Sequence, residues 1–167
     1  MSKLTSFAIF LLGATGGAIA TGVARSANLR AVRAAFRKWS AGEASLFDLM
    51  TDDAEIAIPG TAPHCGTFSK SMFARDVAAP FMARFSRPPA PRAIKVWSDG
   101  DDVAVLAKAE GMRRDGKPYA NDYVFVLKMR RGRVVRATEF LDMTAFNDVW
   151  DHVEPKSNAA AASEQHR

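Results

Sequence analysis

The sequence predicts a single α+β domain, in which helices cover one face of an antiparallel sheet. Three observations support this fold class. Apolar residues recur at helical spacing in the first half of the chain, they alternate from residue 92 onward, and short turn sequences separate the alternating runs. The length of 167 residues suits one domain, and 48% hydrophobic with 25% charged residues is an ordinary globular composition.

The charge, cysteine and histidine contents exclude several classes of protein. Cys65 is the single cysteine and cannot form an internal disulfide, and three scattered histidines offer no zinc-type cluster, so we expect no metal. The net charge of +5 is dispersed among aspartates, without a contiguous basic stripe that carries aromatic neighbours. The composition therefore argues against nucleic-acid binding and favours an enzyme or a small-molecule-binding protein.

The N-terminal segment has the layout of a secretory signal. Lys3 precedes an apolar run over residues 4–12, small residues end at Ala18-Ile19-Ala20, and no acidic residue is present. This pattern predicts a signal peptide over residues 1–20 and an exported, periplasmic protein. The alternative is an uncleaved anchor that extends to about residue 24, although glycines interrupt its apolar run. We expect the chain to contact a membrane only through this segment.

Helical spacing predicts the first elements of the domain. Apolar residues from Leu29 to Trp39 share one face and predict a first helix, which Gly42 ends. A second, short helix is expected over residues 44–50, and residues 54–58 are expected to form a strand.

A third helix should follow a loop. Ser71 is its expected N-cap, and its apolar stripe extends to Phe85. Pro80 should kink this helix, because proline lacks the N–H that an internal helical position donates. Three prolines then end it: Pro88, Pro89 and Pro91.

From residue 92 the spacing predicts a sheet. Four strands are expected, over residues 92–98, 102–113, 117–129 and 133–141. Glycine-containing turns join them into an antiparallel meander. A last short helix over residues 144–150 precedes a tail, residues 155–167, that we expect to be disordered.

Charged residues on apolar strand faces are the main functional signal. Lys108 and Glu110 fall on a face that is otherwise apolar, and Glu139 alternates with apolar neighbours in the last strand, namely Val135, Ala137 and Leu141. A buried carboxylate must be paired, hydrogen-bonded or neutralised, so these groups are candidates for acid or base catalysis. Alternatively, Lys108 and Glu110 lie at a solvated strand edge, and Glu139 pairs with Arg136 or Arg92.

The third strand places Tyr119, Asn121 and Tyr123 at one end of an apolar row. Polar groups above hydrocarbon are typical of a pocket mouth, although two half-exposed sheet tyrosines would give the same pattern. His64 lies in a loop beside Cys65, and we interpret it as a polar group at the pocket rim or as an ordinary surface histidine.

Three stretches of the sequence, taken in order, resemble the SnoaL-like branch of the nuclear transport factor 2-like superfamily. They are residues 97–105, residues 115–123, and residues 132–135 followed by 139–142. The helix-first order and Ile58-Pro59-Gly60 agree with this resemblance. It covers about residues 28–150, and we assign residues 28–152 to one SnoaL-like domain.

The resemblance implies a cone, in which a strongly bent sheet and helices enclose a blind apolar cavity. Such proteins are often homodimers that associate through the sheet. Members of the superfamily include cyclases, isomerases, epoxide hydrolases, dehydratases and lyases that work without cofactors, together with many non-enzymes. The fold alone therefore does not fix the function.

The resemblance also separates the branches of the superfamily. Steroid isomerases carry a carboxylate, a tyrosine and an aspartic acid where this chain has Ile58, Phe36 and Phe125, so that mechanism is disfavoured. Limonene-type epoxide hydrolases match the spacing of Lys108, Glu110 and Glu139. However, lysine replaces their arginine and glutamate replaces their aspartate, which changes the reach of the side chains.

These considerations predict a cofactor-independent isomerase, cyclase or lyase that shifts a proton on a small hydrophobic cyclic or aromatic molecule. Glu139 would be the general acid/base, with Lys108 and Glu110 holding and tuning it. Tyr123, Asn121 and His64 would donate hydrogen bonds to a developing negative oxygen. The expected cavity lining is aromatic and apolar: Phe36, Trp39, Phe81, Trp97, Met112, Phe146 and Trp150. A non-catalytic binding module and an epoxide hydrolase are the alternatives.

Overall fold

The computed structural model describes residues 15–156, with side chains from residue 27 onward. Most of the predicted signal peptide and nearly all of the predicted tail therefore lie outside the described residues. Within this range, none of the helices combines the length and the apolar character needed to cross a membrane.

Four α-helices and six strands form the described part of the domain. The helices are α1 (Thr15–Ser40), α2 (Lys70–Phe73), α3 (Ala79–Met82) and α4 (Met143–His152). The strands are β1 (Met50–Ile58), β2 (Gly66–Ser69), β3 (Phe85–Asp99), β4 (Asp102–Arg113), β5 (Pro118–Arg130) and β6 (Arg133–Leu141). The predicted second helix is only a 3₁₀ turn, Leu46–Leu49, and β1 begins four residues earlier than expected.

The third predicted helix is a composite of α2, a π-helical turn (Ala74–Ala78) and α3. Its N-cap is Ser69 rather than the predicted Ser71, because the Ser69 hydroxyl accepts the Met72 N–H at 3.2 Å. Pro80 lies in the first turn of α3 and cannot donate to the carbonyl of Asp76. The widened π turn immediately before Pro80 accommodates this missing bond.

The six strands form one sheet in the order β2-β1-β6-β5-β4-β3. The β3–β6 part is the predicted antiparallel meander, and β1 pairs with β6 in parallel, so the curved sheet is mostly antiparallel. The mixed pairing arises because the helical segment from α2 to α3 and the meander intervene between β1 and β6.

The proline-rich stretch was expected to precede the first meander strand, yet it lies inside β3. Proline is tolerated there because β3 is an edge strand and need not donate every ladder hydrogen bond. Gly111 of β4 allows the close approach, since a Cβ at this position would lie 2.9 Å from the backbone oxygen of Arg87. Pro89 and Pro91 are buried as a result.

Burial alternates along the central strands and defines the two faces of the sheet. The concave face carries small and aliphatic residues of β4 and the aromatic row of β5: Val103, Val105, Ala107, Ala109, Tyr119, Tyr123 and Phe125. Helix α1 packs across this face with Val32 and Phe36 fully buried. The helices and the concave face therefore enclose the core, as the predicted cone requires.

Candidate functional site

An internal cavity of about 90 Å³ lies between the concave face and the helices. Most of its lining is hydrocarbon, contributed by α1, the 3₁₀ turn, β1, the segment from α2 to α3, the meander strands and α4. Among the described residues that line it, only Glu139 and Tyr123 carry a titratable side chain. This pair is therefore the chemical centre of the cavity.

Glu139 lies on the inward face of β6, opposite Phe125 of β5. Within residues 15–156 we find neither an ion pair nor a hydrogen bond to its carboxylate. Burial among apolar groups raises the pKa of Glu139 from its ordinary value of 4.5 to about 7, because the charged form loses its hydration. At neutral pH the protonated and ionised forms of this carboxyl are therefore both well populated.

The arginines that could have paired with Glu139 lie elsewhere. Arg136 binds Glu55 on the convex face, with 2.8 Å between Nη2 and Oε2. Arg92 lies opposite Lys108 in the β3–β4 ladder and is exposed. The alternative in which Glu139 is a structural ion-pair partner is wrong for these two arginines.

Three polar residues at one end of β5 form a hydrogen-bonded chain that leads to the cavity. The Asn121 amide donates to the Tyr119 hydroxyl at 2.9 Å, and the two tyrosine hydroxyls lie 2.9 Å apart. Either hydroxyl can supply the proton of the bond between the two tyrosines. When Tyr119 supplies it, the Tyr123 O–H is free to donate into the cavity.

Burial also affects the tyrosines. It raises the pKa of Tyr119, and it raises the pKa of Tyr123 well above 10, with the negative charge of Glu139 adding to the effect on both. Both side chains thus stay protonated throughout the physiological range. Tyr123 is accordingly a hydrogen-bond donor and not a base.

Asn121 also fixes the start of α4. Its amide donates to the Asp142 carbonyl at 2.9 Å, and the Asp142 N–H donates back to the Asn121 side-chain oxygen at 3.0 Å. Asp142 caps α4 by accepting the Thr144 N–H at 2.8 Å. This arrangement positions Phe146 of α4 against the cavity.

Lys108 and Glu110 do not reach this site, which corrects the prediction that they hold and tune Glu139. Both side chains point to the convex face, with Nζ and Oε1 3.7 Å apart and side-chain exposures of 50% and 59%. The cause is the strand period: Ala107 and Ala109 point inward, so their alternating neighbours point outward.

Two predicted cavity residues also lie outside it for the same reason. Met112 alternates with inward Gly111 and lies on the convex face, half-buried. Trp97 pairs with Ala104 at the outer edge and is 45% exposed. Their assignment to the cavity lining is therefore wrong.

The remaining aromatic predictions divide into lining residues and supporting residues. Trp39, Phe81 and Phe146 line the cavity, whereas Phe36 and Trp150 do not. Phe36 packs behind them, with its ring 5.6 Å from Trp39. Trp150 stacks on Phe81 and Phe146 from the far side. These two residues support the lining without touching a cavity ligand.

His64 is not at the cavity either. Its ring centroid lies 3.9 Å from that of Trp150, and its backbone has a φ of +69°. Burial lowers the pKa of His64, which favours the neutral ring. The expected role of His64 as a donor to the bound molecule is therefore corrected to packing against α4.

Several lining residues were not predicted from the sequence. Ile56 and Ile58 of β1 line the cavity, and their spacing of two residues within a predicted strand was a readable signal. Pro89 and Pro91 also line it, but a proline-rich stretch gives no sequence signal for burial against a cavity.

Comparisons with known proteins agree with this architecture. No family model matches the chain, and no curated protein matches it. Among solved structures, Bal32a from a soil-derived mobile gene cassette matches with a TM-score of 0.63 at 20% identity, over 76% of this chain and 98% of that one. A protein assigned as a SnoaL-like polyketide cyclase from Jannaschia sp. matches with 0.60 at 17% identity, over 78% and 95%.

A third structural neighbour is TerC, crystallised with polyporic acid. It matches with a TM-score of 0.58 at 22% identity, over 75% of this chain and 98% of that one. The curved sheet, the enclosing helices and these neighbours define the class: the chain has the SnoaL-like, nuclear transport factor 2-like fold. At these identities the likeness establishes the fold, and the chemistry must be argued from the cavity itself.

Proposed function

We propose that this chain is a cofactor-independent acid/base enzyme of the isomerase, cyclase or lyase type. The observation that carries the proposal is Glu139, a carboxyl with a pKa of about 7 and no partner among the described residues, in an apolar cavity that Tyr123 also lines. A general acid/base works best when its pKa lies near the working pH. Carboxyls with strongly raised pKa values in clefts are typical of catalytic sites.

The reaction that suits this pair is a proton shift next to a carbonyl. The Glu139 carboxylate takes a proton from the carbon beside the carbonyl, and the electron pair moves onto the carbonyl oxygen. Tyr123 donates a hydrogen bond to this oxygen as negative charge develops. In isomerisation, the electron pair returns from the oxygen and a different carbon takes the proton from Glu139. In elimination, the returning electron pair breaks the bond to the leaving group, which takes that proton.

The cavity indicates the kind of substrate. Trp39, Phe81 and Phe146 provide flat apolar walls that suit a ring. The free volume of about 90 Å³ is smaller than the roughly 150 Å³ apolar cavity that holds benzene in another protein, so the cavity leaves no room for several rings. We therefore propose a compact molecule with at most one ring that carries a carbonyl or enol oxygen.

Proton exchange tests this proposal whatever the final product is. A panel of single-ring ketones is incubated with the protein in D₂O, and exchange at the carbon beside the carbonyl is followed by NMR. We expect catalysed exchange that falls by about 10² to 10⁴-fold in Glu139→Gln, because general acid/base catalysis contributes about that much. Glu110→Gln is the matched control and should exchange at the wild-type rate. A Glu139→Gln variant as active as wild type contradicts the proposal.

A non-catalytic ligand-binding module is the second candidate function. It is favoured by the apolar residues Phe36, Ile58 and Phe125, which stand where the resemblance places catalytic groups in steroid isomerases. Binding of a ring ligand in the cavity with no exchange for any ketone in the panel would support this candidate.

The epoxide hydrolase alternative has lost its structural basis. It requires Lys108, Glu110 and Glu139 to act together, yet the first two lie on the opposite face of the sheet. Three side chains on two faces cannot activate one water molecule.

Export and dimer formation remain part of the proposal. The proposed cut after Ala20 falls within α1, whose bounds are Thr15–Ser40. Mass measurement on protein from the native host should show a chain that begins at residue 21, and an intact Met1 in the cytosol contradicts export. Size-exclusion chromatography with light scattering tests the homodimer.

A further inference from the structure

The edge of the domain where α1 meets β3 carries an unusual set of charges, and we call it the α1–β3 edge. A groove there is lined by two arginines of α1, Arg33 and Arg37, and by two cations of β3, Arg92 and Lys95. All four residues are exposed. Within residues 15–156, no carboxylate lies within ion-pair distance of any of them.

Three exposed cations elsewhere on the sheet are paired. Lys128 pairs with Asp102 at 3.3 Å, Arg136 with Glu55 at 2.8 Å, and Lys108 with Glu110 at 3.7 Å. The four cations of the α1–β3 edge have no such partner among the described residues and lie together around one groove. Such a concentration of cations attracts an anionic partner.

Two apolar side chains project from the same edge. The β3–β4 register shifts between Ala93 and Lys95, so Ile94 is an extra residue that the ladder does not pair, and it is 60% exposed. Trp97, three residues further along, is 45% exposed, and the Lys95 ammonium lies 5.8 Å from its ring centroid. Exposed isoleucine and tryptophan beside cations are typical of surfaces that enter the lipid interface.

We propose that the α1–β3 edge docks on an anionic phospholipid surface. Arg33, Arg37, Arg92 and Lys95 contact lipid phosphates, and Ile94 and Trp97 enter the interfacial region. Each cation near such a surface contributes about fivefold to the partition coefficient. This inference concerns the outer surface of the domain and does not depend on chemistry at Glu139.

The test uses the full chain with phosphatidylcholine vesicles, with and without phosphatidylglycerol. Any apolar N-terminal run that escapes the proposed cleavage binds either lipid, so the informative quantity is the additional co-sedimentation that phosphatidylglycerol causes. In the double variant Arg92→Gln with Lys95→Gln, we expect the part of the partition coefficient that phosphatidylglycerol adds to fall about 25-fold. The matched control, Lys128→Gln with Arg136→Gln, removes two exposed cations elsewhere and should retain it. High salt should abolish the addition in wild type.

Trp97 gives a second, local readout. Its fluorescence, obtained as the difference between wild type and Trp97→Phe, should shift to the blue and be quenched by brominated lipid when phosphatidylglycerol vesicles are added. Unchanged Trp97 emission overturns the proposal, as does equal partitioning of the two double variants.

Two other outcomes also overturn it. If the Arg92 and Lys95 variant loses binding to duplex DNA while wild type ignores the vesicles, the edge is a nucleic-acid surface. If Ile94→Ser with Trp97→Ser converts a dimer into a monomer, a second copy of the chain covers the edge.

Discussion

Glu110 and Glu139 occupy similar sequence settings, each alternating with apolar residues in a central strand, but the two faces of the sheet give them opposite surroundings. Glu110 is exposed on the convex face, 3.7 Å from the Lys108 ammonium. Glu139 faces the apolar cavity, where burial raises its pKa to about 7. The comparison shows that strand face, rather than local sequence, decides whether a carboxylate is a solvated surface group or a candidate catalyst.

The energetic consequences of the two positions also differ. An exposed pair such as Lys108–Glu110 contributes about 0–1 kcal/mol, because water screens both charges. A carboxyl whose pKa is raised on folding destabilises the native state wherever it must ionise. The protein therefore tolerates a stability cost at Glu139, which is expected where a residue is retained for function.

The largest expected effect is on the pH dependence of stability. The pKa of Glu139 is higher in the folded protein than in the unfolded chain, so the native state binds the additional proton between pH 4.5 and about 7. The Glu139 carboxyl therefore lowers the free energy of unfolding by about 3 kcal/mol as pH rises through this window. Glu139→Gln should remove this loss and be more stable than wild type at pH 8.

Urea denaturation at pH 5 and pH 8 measures this effect. The relevant quantity is the difference between wild type and Glu139→Gln at each pH, because other carboxylates titrate in both proteins. Glu110→Gln controls for the loss of one carboxylate. If the difference in free energy of unfolding between wild type and Glu139→Gln is the same at both pH values, the result contradicts the proposed contrast between the concave and convex faces of the sheet.

A smaller effect separates positioning from donation within the tyrosine chain. Tyr119→Phe removes one of the two acceptors of the buried Asn121 amide and should cost about 2 kcal/mol of stability. Tyr123→Phe should cost less stability, yet slow proton exchange by about 10²-fold, because it removes the donor that faces the reacting oxygen. Denaturation and exchange measurements should therefore rank the two variants in opposite orders. Identical rankings would show that Tyr119 and Tyr123 act as one structural unit.

The smallest effect is expected on the convex face. Lys108→Ala and Glu110→Gln should each change the free energy of unfolding by no more than about 0.5 kcal/mol, because both side chains are half-exposed and their ion pair is solvated. Thermal unfolding curves measure this change. A loss of several kcal/mol in either variant would mean that the convex face is covered in solution.

The sequence predicted the central strands well because their alternation is regular. The expected strands over residues 102–113 and 133–141 coincide with β4 and β6, and the shared face of Tyr119, Asn121 and Tyr123 follows directly from the period of two. Where both strand faces are apolar, however, period alone does not reveal which face is concave. Lys108 and Glu110 were assigned to the wrong face for this reason.

Irregular pairing accounts for other differences. The β5–β6 register shifts between Lys128 and Met129, so buried Val134 points inward, and Val135, which we expected beside Glu139, lies on the convex side. The prolines of β3 and the parallel pairing of β1 with β6 depend on the position of the strand in the finished sheet. Such tertiary features have no local sequence signal.

The titration of Glu139 tests the central claim most directly. Carbon-13 NMR of the glutamate carboxyls, with Glu139→Gln to assign the signal, measures its pKa in the folded protein. The proposed acid/base role predicts a pKa of about 7, raised by burial in the cavity. A pKa at or below the ordinary value of 4.5 would show that the carboxylate is hydrated or paired, and would contradict the role proposed for Glu139.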